Sequence, residues 1–282
     1  MSTLFKFPYE EYTLRLNQSQ SYTKNPVINE RLKRQFDIVF SSLKGKKRTI
    51  KSDSGALNVR SVIVWEIAQK DQRVFDRELR SKGGTVILLV DGSGSMRYPQ
   101  NGNSKMDKTR ELVATLYKSL DGIKKINFKV IMYFGCFRTD EQQLGIIEIN
   151  SLKDCNKLVT DSIDDFGSTP TASAMHYCAK LLKKVKGKKL VITLTDGHPT
   201  IFNARYNTGN GIPDSQSQQF EQTRLSYLEA ENQKIKNFGI GIQVGGDHMA
   251  KMFRRNFVEV NDIKSSEIHI IKQLRMFVKS IK

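Results

Sequence analysis

The sequence predicts an α/β protein with a doubly wound, mostly parallel sheet and helices on both faces of that sheet. Two patterns support this prediction. Apolar runs of strand length occupy residues 85–90, 190–194 and 238–242, as expected for strands buried on both faces. Helical patterns of ten or more residues separate these runs, and strands that alternate with such helices form βαβ crossovers in a parallel sheet.

The remaining elements follow in chain order from residue 84 onward. Residues 105–120 carry Leu112, Val113, Leu116 and Leu120 at helical spacing, so we expect a helix with one face packed on the sheet. The same reasoning predicts strands at residues 126–134, 146–149 and 257–260, and helices at residues 171–185, 220–235, 247–254 and 266–281.

The sequence predicts two parts. Residues 1–83 form a basic, mainly helical N-terminal extension, and residues 84–282 form the α/β domain. Residues 29–43 and 56–69 have the apolar spacing of helices. The basic run at residues 44–51 is typical of a solvated loop, and the charged residues 71–82 are expected to be a connection.

The composition favours a basic protein of the cytoplasm. The 282 residues include 46 Lys and Arg against 29 Asp and Glu, a net charge of +17, which favours an acidic partner and leaves nucleic acid open. No run approaches the ~20 apolar residues of a membrane span, and residues 1–10 lack the apolar core of a signal peptide. We therefore expect no membrane association. Cys136, Cys155 and Cys178 have no metal or redox spacing, so we expect free thiols in a reducing compartment.

Three polar segments mark a candidate metal site. Asp91, Ser93 and Ser95 follow the first apolar strand in Asp-Gly-Ser-Gly-Ser, and Asp196 follows a later strand in Thr-Asp-Gly. Thr169 precedes a predicted helix in Gly-Ser-Thr-Pro-Thr. Because ligands bind at the carboxyl ends of parallel strands, we expect these residues to share one edge of the sheet. Their side chains offer only oxygen donors, which suit Mg²⁺ or Mn²⁺.

Each segment also has an ordinary structural explanation when it is taken alone. Asp-Gly-Ser-Gly-Ser and Thr-Asp-Gly are common turn sequences, and Ser-Thr-Pro is typical of a helix start. The presence of all three at one edge of an alternating α/β pattern favours the metal site.

The same segments do not fit the common catalytic motifs, so we predict that the chain is not an enzyme. The sequence contains no Gly-x-x-x-x-Gly-Lys-Ser/Thr phosphate-binding loop. Ser93 and Ser95 lie in Gly-Ser-Gly-Ser-Met, which differs from the Gly-x-Ser-x-Gly of hydrolase nucleophiles. His198 follows Asp196 closely, which fits either a residue at the rim of the metal site or a loop histidine that faces water, and the second is the expectation.

A more specific resemblance rests on five positions: Asp91, Ser93, Ser95, Thr169 and Asp196. They resemble a complete metal-ion-dependent adhesion site of the von Willebrand factor type A domain. The resemblance covers residues 84–282 and implies a doubly wound sheet with one short antiparallel strand, here at residues 146–149.

The resemblance also implies a role for each of the five residues. Ser93 and Ser95 would contact the metal directly, and Thr169 would do so only in the ligand-bound state. Asp91 and Asp196 would hold waters and the serine hydroxyls. An acidic side chain of a partner protein would complete the coordination.

Further segments are similar to the CobT-type accessory subunit of aerobic cobalt chelatase and to A-domain proteins associated with MoxR-type ATPases. They are residues 54–60, residues 73–76, the motif Asp-Gly-Ser-Gly-Ser-Met-Arg and residues 238–260. This similarity implies an A domain that works beside an AAA+ ATPase of the MoxR class.

Three functions follow from these observations. The first is a non-enzymatic protein-binding module in which Mg²⁺ coordinates an acidic residue of a MoxR-type ATPase or of its client. The second is RNA or DNA binding through the basic surface, with the A domain as scaffold. The third is a metal-insertion subunit similar to that of cobalt chelatase.

Overall fold

The computed structural model describes residues 11–13, 27–41, 43, 47–68, 73–80, 83–97, 99–100, 103–121, 123, 126–138, 141–157, 169–199, 216–244, 246–261 and 263–281. Within these residues the strands are, in chain order, β1 Glu11–Thr13, β2 Lys47–Ser52, β3 Ala56–Leu57, β4 Phe75–Arg80, β5 Gly84–Asp91, β6 Pro99–Gln100, β7 Asn103–Ser104, β8 Ile126–Arg138, β9 Glu141–Ile149, β10 Lys188–Thr195, β11 Ile235–Ile242 and β12 Phe257–Val260. The helices are α1 Glu30–Ser41, α2 Val59–Ala68, α3 Lys105–Asp121, α4 Thr171–Leu182, α5 Gln216–Asn232, α6 Gly246–Phe253 and α7 Ile263–Ser280.

The main sheet confirms the predicted fold class. Its seven described strands have the order β1-β9-β8-β5-β10-β11-β12. All neighbouring pairs are parallel except β8 and β9, which pair antiparallel as the resemblance implies. The carboxyl ends of the central strands β5 and β10 therefore lie side by side.

Strand β5 shows why helices cover both faces of this sheet. All eight of its residues are buried, and successive side chains point to opposite faces. Val86, Leu88 and Val90 belong to the apolar core that α1, α3 and α7 cover. Ile87 and Leu89 belong to the second core, which α4, α5 and α6 cover.

The N-terminal segment differs from the prediction in two places. Part of the predicted loop at residues 44–51 is strand β2, and part of the predicted connection at residues 71–82 is strand β4. The two strands pair antiparallel, with Lys51 opposite Asp76, and β3 pairs with the other edge of β4. The residues of β2 and β4 are mostly polar, so their pairing leaves no apolar signal in the sequence. Lys44 and Lys46 lie outside the described residues.

The two predicted N-terminal helices are present, and they are buried to different degrees. Helix α1 buries Leu32, Phe36 and Phe40 in the first core. The prediction that helix α2 buries an apolar face is wrong for its large side chains. Trp65 is 41% exposed and Ile67 is 79% exposed. Its apolar residues lie all around the helix, so periodicity cannot indicate where a covering surface lies.

The strands β8 and β9 extend beyond the predicted residues 126–134 and 146–149. Residues 134–138 pair with residues 141–145 in a hairpin. The added residues, Gly-Cys-Phe-Arg and Glu-Gln-Gln-Leu-Gly, mix polar and apolar side chains without a sustained alternation, so the strand pattern is weak there.

The described cysteines fit the prediction of free thiols. Cys155 and Cys178 are unpaired and buried. Burial raises the pKa of Cys155 to about 12 and also raises the pKa of Cys178, so both thiols stay protonated. Cys136 has a described backbone only. Among the described helices, none combines the length and the apolar character needed to cross a membrane.

The burial of α1 generates a stability prediction. We expect Phe36→Ala to lower the free energy of unfolding by about 3–5 kcal/mol, because Phe36 is fully buried in the first core. Ile38→Ala, in the same helix at a site that is 54% exposed, should change it by no more than about 0.5 kcal/mol. Urea unfolding followed by circular dichroism measures both. Equal effects of the two substitutions would contradict the packing of α1 on the core.

Candidate metal centre

Asp91 ends β5 and ties two loops together. Its side chain is fully buried. The backbone N–H of Ser93 donates to Asp91 Oδ1 at 2.9 Å, and the hydroxyl of Thr195 donates to Asp91 Oδ2 at 2.7 Å. One carboxylate therefore fixes the loop after β5 against the end of β10.

Ser93 and Ser95 bring two hydroxyls together in that first loop. Their Oγ atoms are 3.0 Å apart. Ser93 is buried and Ser95 half-buried, and a 3₁₀ turn over Gly94–Arg97 holds them, with Met96 N–H donating to Ser93 C=O at 3.1 Å. The tight turn places the second hydroxyl beside the first, as the Ser-x-Ser spacing requires.

Asp196 follows β10 and has one oxygen paired and the other free. Asp196 Oδ2 accepts from Lys105 Nζ at 3.0 Å. Asp196 Oδ1 is buried and has no hydrogen-bond partner. Gly197 completes the turn with φ +86°, and its N–H donates to Thr195 Oγ1 at 3.1 Å. A side chain at Gly197 would be strained in this conformation and would also meet Val244.

Lys105 is held in place by the start of α3, of which it is the first residue. Ser104 and Asp107 form a reciprocal cap: Ser104 Oγ donates to Asp107 Oδ2 at 2.8 Å, and Asp107 N–H donates to Ser104 Oγ at 3.0 Å. Arg110 Nη1 also contacts Asp107 Oδ1 at 2.8 Å. This fixed helix start positions the Lys105 side chain, which is only 13% exposed, against the fully buried Asp196 side chain.

The threonine segment reaches the site through Tyr133. Thr169 is buried just before α4, and its C=O accepts the N–H of Thr171 at 2.8 Å. The hydroxyls of Thr171 and Tyr133 share a hydrogen bond of 3.0 Å. Tyr133 lies opposite Asp91 in the β5–β8 register, and its C=O accepts the N–H of Gly92 at 2.8 Å. The described hydrogen bonds therefore connect the Thr169 carbonyl to the backbone of Gly92, the residue after Asp91, by way of Thr171 and Tyr133.

The electrostatics of the site favour an added positive charge. Burial and the nearby negative charge of Asp196 raise the pKa of Asp91 to about 7, despite hydrogen bonds from Thr195 and Ser93 that lower it. Burial and the charge of Asp91 raise the pKa of Tyr133 well above its usual value, so this phenol stays neutral. Two buried carboxylates thus lie near each other, with Lys105 as the described cation in contact with one of them.

The donor set fits a hard divalent cation. It combines two carboxylates with serine and threonine hydroxyls, and one carboxylate oxygen is left without a partner. Across the part of the chain that the structure describes, no three His, Cys, Asp or Glu side chains converge on a point. A cation at this edge would therefore need the hydroxyls as well as the carboxylates.

Comparison with known families identifies the fold family. The family model of the von Willebrand factor type A domain matches residues 85–262. The chain belongs to this family. Such domains generally act as protein-interaction modules. Among curated proteins, none matches the sequence significantly.

A solved pilus adhesin structure shares the fold with this chain, and further solved structures are similar to it at lower TM-scores. The pilus adhesin SpaC from Lactobacillus rhamnosus GG is 17% identical, with a TM-score of 0.52 over 84% of this chain and 34% of SpaC. This chain therefore spans about a third of the length of SpaC. BatB from Bacteroides thetaiotaomicron is 14% identical over 70% of this chain and 100% of BatB, with a TM-score of 0.47. The corresponding domain of the type V pili tip protein Mfa5 from Porphyromonas gingivalis is 9% identical over 70% of this chain and 97% of that domain, with a TM-score of 0.46.

Two contributors to this A-domain site were missed by the sequence prediction. Lys105 was expected only as a helix start, although Ser-Lys-Met-Asp has the spacing of a capping box and places a lysine at the same edge of the sheet. Tyr133 lies within a predicted strand. Nothing in the neighbouring sequence indicates that its hydroxyl makes a hydrogen bond at the site instead of the side chain packing only in the core. His198 is exposed as expected, with its ring 4.6 Å from that of His248.

The Lys105–Asp196 contact generates the prediction for this site. In the presence of EDTA, Lys105→Met should lower the free energy of unfolding by about 3 kcal/mol, because it leaves the buried Asp196 carboxylate without a counterion. Lys108→Met is the matched control, since Lys108 lies on the same helix and donates to the C=O of Asn261 at 3.1 Å on the protein surface. It should cost less than about 1 kcal/mol. Urea unfolding of both variants measures the difference, and equal stabilities would show that the buried pair contributes nothing.

Proposed function

We propose that this A domain is a non-enzymatic, divalent-metal-dependent protein-binding module. The observation that carries the proposal is the buried Asp196 carboxylate. Its Oδ2 accepts from the Lys105 ammonium at 3.0 Å, and its Oδ1 has no hydrogen-bond partner. A buried carboxylate with a free oxygen is costly unless a cation or donor completes it. Mg²⁺ or Mn²⁺ is the cation that this set of oxygen donors suits.

Five residues would hold the metal. Ser93 and Ser95 offer adjacent hydroxyls, and Asp91 and Asp196 supply the negative charge that retains a divalent ion. Thr169 would join when a partner binds. The metal would supply a strong local positive charge and an open coordination position for an incoming carboxylate.

Lys105 and a divalent cation would compete for the Asp196 carboxylate. Its ammonium already neutralises Asp196, so a divalent cation that binds Asp196 must weaken or replace this contact. The doubly charged ion would interact with both Asp91 and Asp196, whereas the lysine contacts only Asp196. The metal-bound form of the site is the one that would capture a partner.

An acidic side chain fits the partner role on two grounds. A carboxylate is a hard oxygen ligand for Mg²⁺. The net charge of +17 also attracts acidic proteins over distances of about a Debye length, ~8–10 Å at physiological salt. Long-range attraction would bring the partner near, and the metal would select the carboxylate.

The partner class rests on the sequence resemblance described above. We propose a MoxR-type AAA+ ATPase or its client as the partner, with the chain as an adaptor of the CobT type. Buried, protonated thiols at Cys155 and Cys178 suit a reducing cytoplasm, which is the location we propose.

A display selection tests this function with random peptides in place of the partner protein. A library of random 12-residue peptides is bound to the immobilised protein in Mg²⁺ and eluted with EDTA. We expect the eluted peptides to be enriched in Asp or Glu at one position, because only a carboxylate completes the metal site.

Two variants make the result specific. Ser95→Ala should abolish the EDTA-eluted pool while leaving the fold intact, since Ser95 is half-buried and its described contact is with Ser93. Ser41→Ala removes a hydroxyl whose described hydrogen bond lies within the exposed end of α1, and it should bind like the unaltered protein. Peptides that resist EDTA, or a Ser95→Ala pool equal to the control, would refute metal-dependent binding.

A further inference from the structure

A groove between helices α1 and α7 has the features of a second binding surface, separate from the metal site. Its volume is about 530 Å³. One wall comes from α1 through Arg31, Leu32 and Gln35, and the other comes from the outer face of α7. The inner faces of both helices are buried in the first core, so the walls of the groove are firmly anchored.

The floor and rim of the groove are apolar. Leu32 is buried at the base, and Ile271 is half-buried beside it. Ile268 and Met276 lie on the rim and are 74% and 51% exposed. Such large exposed apolar side chains along one concave surface are typical of a binding site rather than of scattered surface residues.

The outer face of α7 adds a row of positive charge. Lys272, Arg275 and Lys279 follow one another at three- and four-residue spacing, all are exposed, and no acidic partner is described for them. Glu267 is the acidic residue in the lining, and it is already engaged by Arg31 at 3.5 Å and by the side-chain amide of Asn29. Within the described residues, the groove therefore has three uncompensated cations.

The spacing of these residues indicates the shape of the occupant. Residues 268 to 279 of α7 span about 16 Å at 1.5 Å per residue, which is three helical turns. Both walls are helices whose backbone groups are internally bonded, so the groove offers no free sheet edge to an extended peptide. An apolar channel of this length between helices fits the apolar face of a short helix.

We propose that the α1–α7 groove binds an acidic amphipathic helix of a partner protein. Leucine-like side chains of that helix would enter between Ile268, Ile271 and Met276. The Asp or Glu residues of that helix would pair with Lys272, Arg275 and Lys279. The partner's carboxylates at the rim give specificity, and the apolar contacts give affinity.

The apolar floor favours this occupant over a phosphate backbone. Nucleic acid binding depends on a basic surface with hydrogen bonds to phosphates, and it gains little from exposed Ile and Met. A membrane surface would require a convex apolar face, whereas this surface is concave.

The test uses a fluorescein-labelled, 16-residue helical peptide with Leu at three- and four-residue spacing and Glu at the flanking positions. Fluorescence anisotropy with the full chain should show saturable binding in EDTA, because the groove does not involve the metal site. The triple variant Lys272→Glu, Arg275→Glu and Lys279→Glu should weaken binding by at least about tenfold, and Met276→Asp should do so as well.

The matched control reverses three exposed lysines elsewhere: Lys183→Glu, Lys184→Glu and Lys186→Glu. It changes the net charge by the same amount and should leave binding within about twofold of the unaltered protein. Circular dichroism shows whether every variant keeps its fold.

Several results would overturn the proposal. They are an absence of saturable binding below 100 µM peptide, an equal loss in the control triple variant, and unchanged binding of a peptide with every Leu replaced by Ser. Tighter binding of a uridine oligonucleotide or of vesicles containing phosphatidylserine, lost in the groove variant, would assign the surface to nucleic acid or to lipid instead.

Discussion

The buried contact between Lys105 and Asp196 is the interaction on which the site depends. Asp196 has no exposed surface on its side chain, and the low polarity around it makes an isolated charge costly. The lysine ammonium compensates one oxygen and leaves the other free. Among the described residues, the carboxyl edge of this A domain therefore combines the Asp91 and Asp196 carboxylates with the Lys105 ammonium, and we propose that a divalent ion takes the place of that ammonium.

The rest of the fold brings the two halves of this contact together. Asp196 follows a central strand, so its position is set by the β5–β10 pairing. Lys105 begins α3, whose inner face is buried against the same sheet and whose first turn is capped by Ser104 and Asp107. Because the strand and the helix are both rigid, Lys105 and Asp196 are 3.0 Å apart although 91 positions separate them in the sequence.

How far the sequence predicts this structure depends on whether a feature is local. Strands β5 and β10 and the five motif residues follow from apolar runs and from short fixed spacings, which are local in the sequence. Lys105 was not predicted as a site residue because its partner is distant along the chain. Strands β2 and β4 were missed for a similar reason, since only their mutual pairing makes these polar segments strands.

Titration of Mn²⁺ into the protein, followed through the electron paramagnetic resonance signal of the free ion, tests the central claim most directly. If Lys105 and a divalent cation compete for Asp196, Lys105→Met should bind Mn²⁺ at least about tenfold more tightly than the unaltered protein, a difference of about 1.4 kcal/mol. Lys108→Met should bind like the unaltered protein. Equal Mn²⁺ affinity in all three proteins, or no Mn²⁺ binding by any of them, would contradict the account.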